Sequence, residues 1–407
     1  MPGPSDAWSK PAVEAAVRLV FLTAGVSYYK TAAPPVIDVG DIALSRTEQE
    51  FLRALYVDGL GEFSFVNQLD FEDLKIVGSA REPARIQVAS SVPSLRPLVP
   101  FGGGIDSIVV AEQVRARCPD ASLFIVSREG DRFAAIENAA HTTQLPVIRA
   151  ERELDAQVLR SRELGFLNGH VPVTAILSSI ATLAAVLHDR DAVIMSNEWS
   201  ASVGTRPWNG REVNHQWSKS QDFENLFRAV LSDAVPGVEY FSALRPYSEL
   251  WVARRFAELD SYHPTFRSCN RAFALDPSQR LDRWCGECDK CCFIDLILSP
   301  FLPAARLREI FSGTEPLNDR RLESKFRSLL GDPAHVKPFE CVGEENECRA
   351  AVLLAADRPD RRGAVLLQKL ATEIRLAGPP YPDPDALMRP MGPSFIDSRY
   401  VDSDVVV

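Results

Sequence analysis

The sequence predicts an α/β fold: a parallel-sheet domain with an α+β region before it and helices after it. Three observations carry this. From about residue 95 to residue 310, short apolar runs of strand character alternate with longer runs of helical apolar spacing, the pattern of βαβ units whose sheet is covered on both faces. The first of these strands ends in three glycines, in "LVPFGGGIDS", directly before a helix. Further on, Cys285, Cys288, Cys291 and Cys292 fall within eight residues, with Cys269 ahead of them.

Taken in order, residues 1–94 form the α+β region: "PAVEAAVRLVFLTAG" and "RTEQEFLRALYVDGL" are spaced as helices, "EFSFVNQ" and "ARIQVASSV" as strands. The region carries no chemical motif and is expected to be a small appendage that covers or shapes the main site. Residues 95–302 then alternate: strand "RPLVPF", helix "DSIVVAEQVRAR", strand "ASLFIVS", helix "RFAAIENAAHTTQ", strand "LPVIRAE", the long apolar helix "PVTAILSSIATLAAVLHD" and strand "DAVIMSN". Ligands in such sheets bind beyond the carboxyl ends of the strands, where Gly102–Gly104, Ser127–Glu129 and Ser196–Glu198 fall. Residues 303–377 read as helices ("AARLREIF", "NDRRLESKFRSLL", "ENECRAAVLLAA", "AVLLQKLATEIRL"), and residues 378–407, rich in Pro and Asp, as a loosely packed tail.

Composition narrows the class. A net charge of −10 over 407 residues argues against broad nucleic-acid binding, which needs clustered Lys and Arg. There is no run of eighteen apolar residues, so no membrane span is expected, and "MPGPSDAWSK" lacks the layout of a signal peptide. A cytoplasmic protein follows as the expectation. In that setting eight cysteines, half of them clustered, read as metal binding or thiol chemistry rather than as a disulfide framework.

Glycines between a strand and a helix let the backbone approach a ligand, and the helix aims free N–H groups and the positive end of its dipole at the same spot. Phosphate is the natural guest. The turn is neither GxGxxG nor GxxxxGK[ST]. It resembles the Ser-Gly-Gly-x-Asp-Ser signature of the PP-loop ATP pyrophosphatases (adenine nucleotide alpha hydrolase-like), with Gly103, Gly104, Asp106 and Ser107 matching and Gly102 in place of the first Ser. The resemblance implies that ATP is split into pyrophosphate and an adenylated substrate. Gly102, Gly103, Gly104 and Ser107 would cradle phosphate, Ser127 would lie at the neighbouring strand end, and Asp106 would sit beside phosphate-bound Mg²⁺.

In "SCNRAFALDPSQRLDRWCGECDKCCF", Cys269, Cys285, Cys288 and Cys291 suit a closed tetrahedral Zn²⁺ site, with zinc-free thiol packing or a redox role as the alternative. Cys292, directly after a ligand, is expected in the core. Such a cluster beside a PP-loop resembles the 7-cyano-7-deazaguanine synthases, which adenylate a carboxylate, and an amide or nitrile synthase of that kind is the alternative function. A tRNA sulfurtransferase and an ATP-binding sensor are more distant alternatives.

The intervening segments point elsewhere. "NGHVPVTAILSSIATLAA", "SNEWSAS", "VNHQWSKSQDFE", "YFSALRPYSELWVARRF" and "PFECVGEENE", with the two motifs above, resemble the UDP-N-acetyl-α-D-muramoyl-L-alanyl-L-glutamate epimerase (MurL) family over roughly residues 95–350. The resemblance implies ATP- and Mg²⁺-dependent inversion of the terminal L-Glu of UDP-MurNAc-L-Ala-L-Glu, with release of AMP and pyrophosphate, in peptidoglycan precursor synthesis. The chemistry is coherent. A free carboxylate next to Cα makes that C–H very weakly acidic, and adenylation removes the charge. The neighbouring amide could also close onto the activated carbonyl as an oxazolone.

Inversion needs one base serving both faces of a planar intermediate, or a group on each face. His215 in "VNHQWSKS" and His170 before the long helix are the preferred pair, with Glu198 a further candidate and a backbone-bonded loop histidine the alternative for either imidazole. Lys219 could be a charge partner for α-phosphate or a carboxylate, with a solvated surface lysine as the alternative. Arg206 and Arg211 around "PWNG", and Arg267 and Arg271 around Cys269, could fork onto the carboxylates and diphosphate of the substrate, with a solvated surface role as the alternative for each. For Arg245 and Glu249 a folding salt bridge and a substrate contact stand side by side.

Overall fold

The computed structural model describes residues 8, 10–79, 94–274, 276–379 and 381–401. In the first region, β1 (Val36–Asp38) pairs in parallel with β2 (Lys75–Val77), beside helices Pro11–Ala24 and Arg46–Val57. The central sheet is built from β3 (Leu98–Pro100), β4 (Ser122–Ser127), β5 (Val147–Glu151), β6 (Ala192–Met195) and β9 (Glu239–Ser242). The small hairpin of β7 (Arg206–Trp208) and β8 (Arg211–Val213) stands apart from it. The sheet order is β5-β4-β3-β6-β9 and every pairing is parallel, as the alternating pattern predicts. β9, which runs from Glu239 into the start of "YFSALRPYSEL", is a strand that the sequence reading did not pick out.

Because side chains alternate along a strand, each strand feeds two cores. Leu98, Phe124, Val193 and Tyr240 face one side, where they meet Val13 and Leu19, Phe51 and Leu55, Ile176, and Phe223 and Phe227. Val99, Leu123, Ile125, Ile194 and Phe241 face the other, against Ile108 and Val109, Leu250, Ile294 and Ala351. The first region thus shares a core with the sheet, chiefly through helix Pro11–Ala24 on helix Val173–Leu187, where Thr23 Oγ1 and Ser179 Oγ hydrogen-bond at 2.7 Å. The helical run Pro11–Tyr29 is long and apolar enough to cross a membrane by length and composition, and it lays Val13, Ala16, Leu19 and Leu22 into this core.

Three readings of the sequence are corrected. "EFSFVNQ" forms helix Gly61–Asn67 rather than a strand, ended by Gln68 at φ +54°. Its alternating rings reach two separate partners: Phe63 stacks on Phe71, while Phe65 meets Trp208 and Phe339 edge-on at 5.3 and 5.7 Å. Those contacts, distant in sequence, override the local period. The segment from residue 378, expected to pack loosely, buries Leu387, Tyr400 and Val401 and ties back through Met391 N donating to Pro246 O at 2.7 Å. The long apolar helix, read from Pro172, begins at Val173, with Pro172 as its N-cap. The "ARIQVASSV" reading lies outside the described residues.

Candidate active site at the carboxyl ends of the sheet

The chain leaves β3 toward β4 on one side and later returns to place β6 on the other, so the crevice between the ends of β3 and β6 is the switch point at which open α/β sheets bind ligands. The glycine turn occupies it. Gly103 has φ +74°, and a Cβ there would stand 2.9 Å from the Ala135 carbonyl oxygen, so this position requires glycine. Gly102 borders open space, with no atom within 4 Å of where its Cβ would be. Gly104 caps helix Ile105–Arg117 with no side-chain acceptor on the first-turn N–H groups. These features together fit an anion at the helix start. Ser107 Oγ donates to Gly104 O at 3.1 Å, and Arg267 N donates to Gly103 O at 3.1 Å, bracing the turn.

Three carboxylates converge beside it. Asp106 (first helical turn), Glu198 (after β6) and Glu249 (first turn of helix Glu249–Ala257) bring oxygens within 4.8 Å of one another. Glu198 and Glu249 are buried, and Asp106 Oδ1 is buried without a hydrogen-bond partner. Burial first, and Glu198 second, push the Asp106 carboxyl up to about 7. Burial, with Asp106 and Glu198 alongside, lifts Glu249 well above the usual carboxylate range. Carboxylates packed this closely are relieved by protonation or by a cation, and an all-oxygen set is of the kind that suits Mg²⁺.

Lys219 supplies one positive charge. Its burial alone would lower its pKa, but Cys341, Glu198, Asp106 and Glu249 raise it, so the ammonium stays charged. Arg245 fixes the loops that carry these groups. Fully buried, it pairs with Glu224 through Nε at 2.8 Å and donates to Glu198 O at 3.0 Å and Lys219 O at 2.6 Å. Of the two roles open to Arg245, the folding salt bridge is the one observed, with Glu224 as its partner.

The histidines form a second cluster on the far side of Lys219. The ring centroids of His170 and His215 lie 4.3 Å apart, and His215 Nδ1 hydrogen-bonds Glu62 Oε2. Burial would lower the pKa of His215, yet hydrogen bonds to Cys341 and Glu62 raise it to about 9. Burial, then His215, pushes His170 down to about 4, leaving it neutral at pH 7. Cys341 lies between the clusters: Lys219 Nζ donates to its Sγ at 3.5 Å. The sequence reading missed Glu62, because it sat in a stretch read as a strand without a motif. It also passed over Cys341, although "PFECVGEENE" was part of the resemblance.

Two family models match the chain: the MurL N-terminal domain over residues 1–243 and the MurL C-terminal domain over residues 265–380. The chain belongs to the MurL family. It is 39% identical over 381 residues to the UDP-N-acetyl-alpha-D-muramoyl-L-alanyl-L-glutamate epimerase of Xanthomonas oryzae pv. oryzae, an alignment covering 92% of this chain and 81% of that protein. Proteins of the same name from Salinispora tropica and a Micromonospora species are 37% and 40% identical, covering 95% and 91% of this chain and 83% and 81% of theirs. The site draws on both MurL regions: Glu62, Asp106, His170, Glu198, His215 and Lys219 come from the first, and Cys341 and the cysteine cluster from the second.

Against this MurL framework the four arginines do not converge. The Arg206 guanidinium lies between the rings of Phe65 and Phe339, at 5.0 and 4.3 Å, near His215. Arg211 pairs with Asp58 at 3.4 Å on the surface. Arg267 spends its guanidinium on the carbonyls of Pro264, Phe266 and Asp282. Arg271 is exposed, 3.9 Å from Glu287. Ser127 ends β4, where Arg152 N donates to its carbonyl at 2.8 Å.

The thiols of Cys269, Cys285, Cys288 and Cys291 lie within 4.8 Å of one another, with Cys285–Cys291 at 3.6 Å and Cys288–Cys291 at 3.5 Å. Two ligands at the ~2.3 Å zinc–sulfur distance in a tetrahedron stand close to that spacing. All four are free thiols, so the set fits a closed structural zinc that would hold the 269 loop to the start of helix Asp289–Leu298. Cys292 is fully buried in the core beside it.

Proposed function

We propose that this chain is an ATP- and Mg²⁺-dependent epimerase that inverts the terminal L-Glu of UDP-MurNAc-L-Ala-L-Glu through adenylation of its α-carboxylate on a PP-loop, releasing AMP and pyrophosphate. The epimerase part rests on membership of the MurL family and on relatives so named. The observation that carries the adenylation part is the open glycine turn at the sheet's switch point, set beside the unpartnered Asp106 oxygen.

The backbone N–H groups at Gly103, Gly104 and the first turn of helix Ile105–Arg117 bind phosphate oxygens of ATP. Asp106, Glu198 and Glu249 would hold Mg²⁺, which neutralises the polyphosphate when bound. Lys219 orients the α-phosphate and the substrate carboxylate between the two clusters. Once the carboxylate is an acyl-adenylate, its charge no longer opposes loss of the Cα proton, and inversion becomes a proton transfer at Cα. Water then releases the acid and AMP. The four-thiolate zinc would be structural. A reducing, cytoplasmic setting suits the eight free thiols.

One incubation tests the reading: the protein with ATP, Mg²⁺ and UDP-MurNAc-L-Ala-L-Glu in D₂O, following AMP, the configuration of Glu and deuterium at Cα. D-Glu carrying deuterium, with AMP in step, is the expected result. AMP without inversion or exchange means that the carboxylate is activated for another acceptor. Inversion with no ATP consumed overturns the adenylation step.

A further inference from the structure

We propose that Cys341 is the base that exchanges the Cα proton of the glutamyl residue, held as a thiolate between Lys219 and His215. The inference rests on the adenylation reading, because only an activated carboxyl makes that proton acidic enough for a thiolate to take.

The geometry is a chain of alternating charge. Glu62 holds Nδ1 of His215, the His215 imidazolium places positive charge beside the Cys341 thiol, and the Lys219 ammonium donates to the same sulfur at 3.5 Å. Lys290, at the start of helix Asp289–Leu298, adds a further positive charge, and Asp106 faces the thiol from the glycine-turn side. Cys341 therefore stands where the phosphate turn and the histidine cluster meet, which is where Cα of a carboxyl activated at that turn has to lie. The other cysteines outside the four-thiol cluster contrast with it. Cys118, Cys292 and Cys348 are fully buried, and burial pushes their thiols up. Cys341 is pulled down to about 6: burial opposes this, and Lys219, His215 and Lys290 outweigh it. Thiolates beside lysine and imidazolium are the reactive kind.

The step balances without an added co-reactant other than water. The thiolate takes the Cα proton and becomes a thiol, and the C–H electron pair moves onto the activated carbonyl as an enolate. Water protonates the opposite face, and the hydroxide left behind is neutralised by the thiol proton. The thiolate is regenerated, and the product carries one solvent hydrogen at Cα.

The test uses the full chain with ATP, Mg²⁺ and UDP-MurNAc-L-Ala-L-Glu in D₂O, comparing wild type with Cys341→Ser and Cys341→Ala. ATP–pyrophosphate exchange, Cα deuterium and D-Glu are followed together. Both variants are expected to keep ATP–pyrophosphate exchange within about threefold, while Cα exchange and inversion fall about 100-fold or more, the scale of a lost general base. Iodoacetamide at pH 7 is expected to alkylate Cys341 before the other cysteines and to stop inversion with adenylation intact. Inversion by Cys341→Ser at the wild-type rate overturns the proposal. So does a parallel fall of adenylation and inversion in both variants, which would make Cys341 structural. If the wild type inverts without ATP–pyrophosphate exchange, the adenylation reading fails and this role for Cys341 falls with it.

Discussion

Lys219 and Cys341, 122 residues apart in the chain, meet Nζ to Sγ at 3.5 Å and join the two halves of the site. On one side of the pair lie the glycine turn and three carboxylates; on the other lie two imidazoles and Glu62. A buried ammonium touching a thiol places charge where the proposed activation of a carboxyl and removal of its α-proton would lie side by side.

Asp106→Asn is expected to cut AMP formation by about 10²–10³-fold, because it removes a charge from the set that would hold Mg²⁺ against phosphate. The fold should persist and even gain stability, since one of three crowded carboxylates becomes neutral. Product quantification and thermal unfolding on the same sample check both parts. Normal AMP formation would remove Asp106 from the nucleotide site.

Gly103→Ala should lose both stability and ATP binding. The positive φ costs about 1–2 kcal/mol for an L-residue, and the new Cβ at 2.9 Å from Ala135 O forces the turn or helix Ala134–Thr143 to shift. Gly102→Ala meets open space. Its fold should be unaffected, so any defect in ATP binding reports directly on the space where phosphate is proposed to lie. Isothermal titration with ATP and denaturant unfolding separate the two variants.

Arg245→Met should destabilise by about 3–5 kcal/mol, because it strands Glu224 as an unpaired buried charge. It also frees the Glu198 and Lys219 carbonyls. Replacing both members, as Arg245→Met with Glu224→Gln, should recover part of the loss. Urea unfolding of the three proteins measures this, and equal instability of the single and double variants would argue against the pairing.

Asp295 gives a pH signature away from the active site. Burial pushes its carboxyl up to about 7, more than the Leu317 N–H and Arg361 hold it down. A folded-state pKa above the unfolded ~3.9 means that the native state holds the proton more tightly. Stability is therefore fully present below pH ~4 and is lost as pH rises to about 7. Asp295→Asn, relative to wild type, should thus look better at pH 8 than at pH 5 by roughly 1–3 kcal/mol. A difference independent of pH would mean that Asp295 titrates normally.

Elemental analysis of the purified chain should find one zinc per molecule, and Cys288→Ser should lower both zinc content and thermal stability. Removing zinc with a strong chelator should unfold the 269–291 segment, read as new protease cuts there. A full-stability, zinc-free protein would assign the four thiols to packing alone.

Much of the sheet was legible because strands and helices of ordinary length alternate from β3 to β6, and an apolar strand followed by a helical period has few other readings. The glycine turn was legible for a related reason: a run of three glycines before a helix has a steric purpose, which the φ of Gly103 bears out. The helix Gly61–Asn67 was not. Seven residues satisfy either period, and the rings of Trp208 and Phe339 that decide it lie far along the chain. In the segment from residue 378, most described residues are exposed or half-buried, and its Pro and Asp content hid Leu387, Tyr400 and Val401, which join the core.

By itself the sequence determined the parallel sheet, the glycine turn at the strand end, the thiol cluster and the family resemblance, because each is a local pattern whose physical meaning travels with it. Tertiary structure alone decided which polar residues share a site. Glu249 joins Asp106 and Glu198 because three chain segments end at one switch point. Glu62 meets His215, and Cys341 meets Lys219, only because the N-terminal helices and the 338–343 loop close over the same strand ends. The four arginines went the other way, to rings, carbonyls and surface partners. Charge and spacing along a chain say what a side chain can do, and burial and neighbours in three dimensions decide which of those things it does.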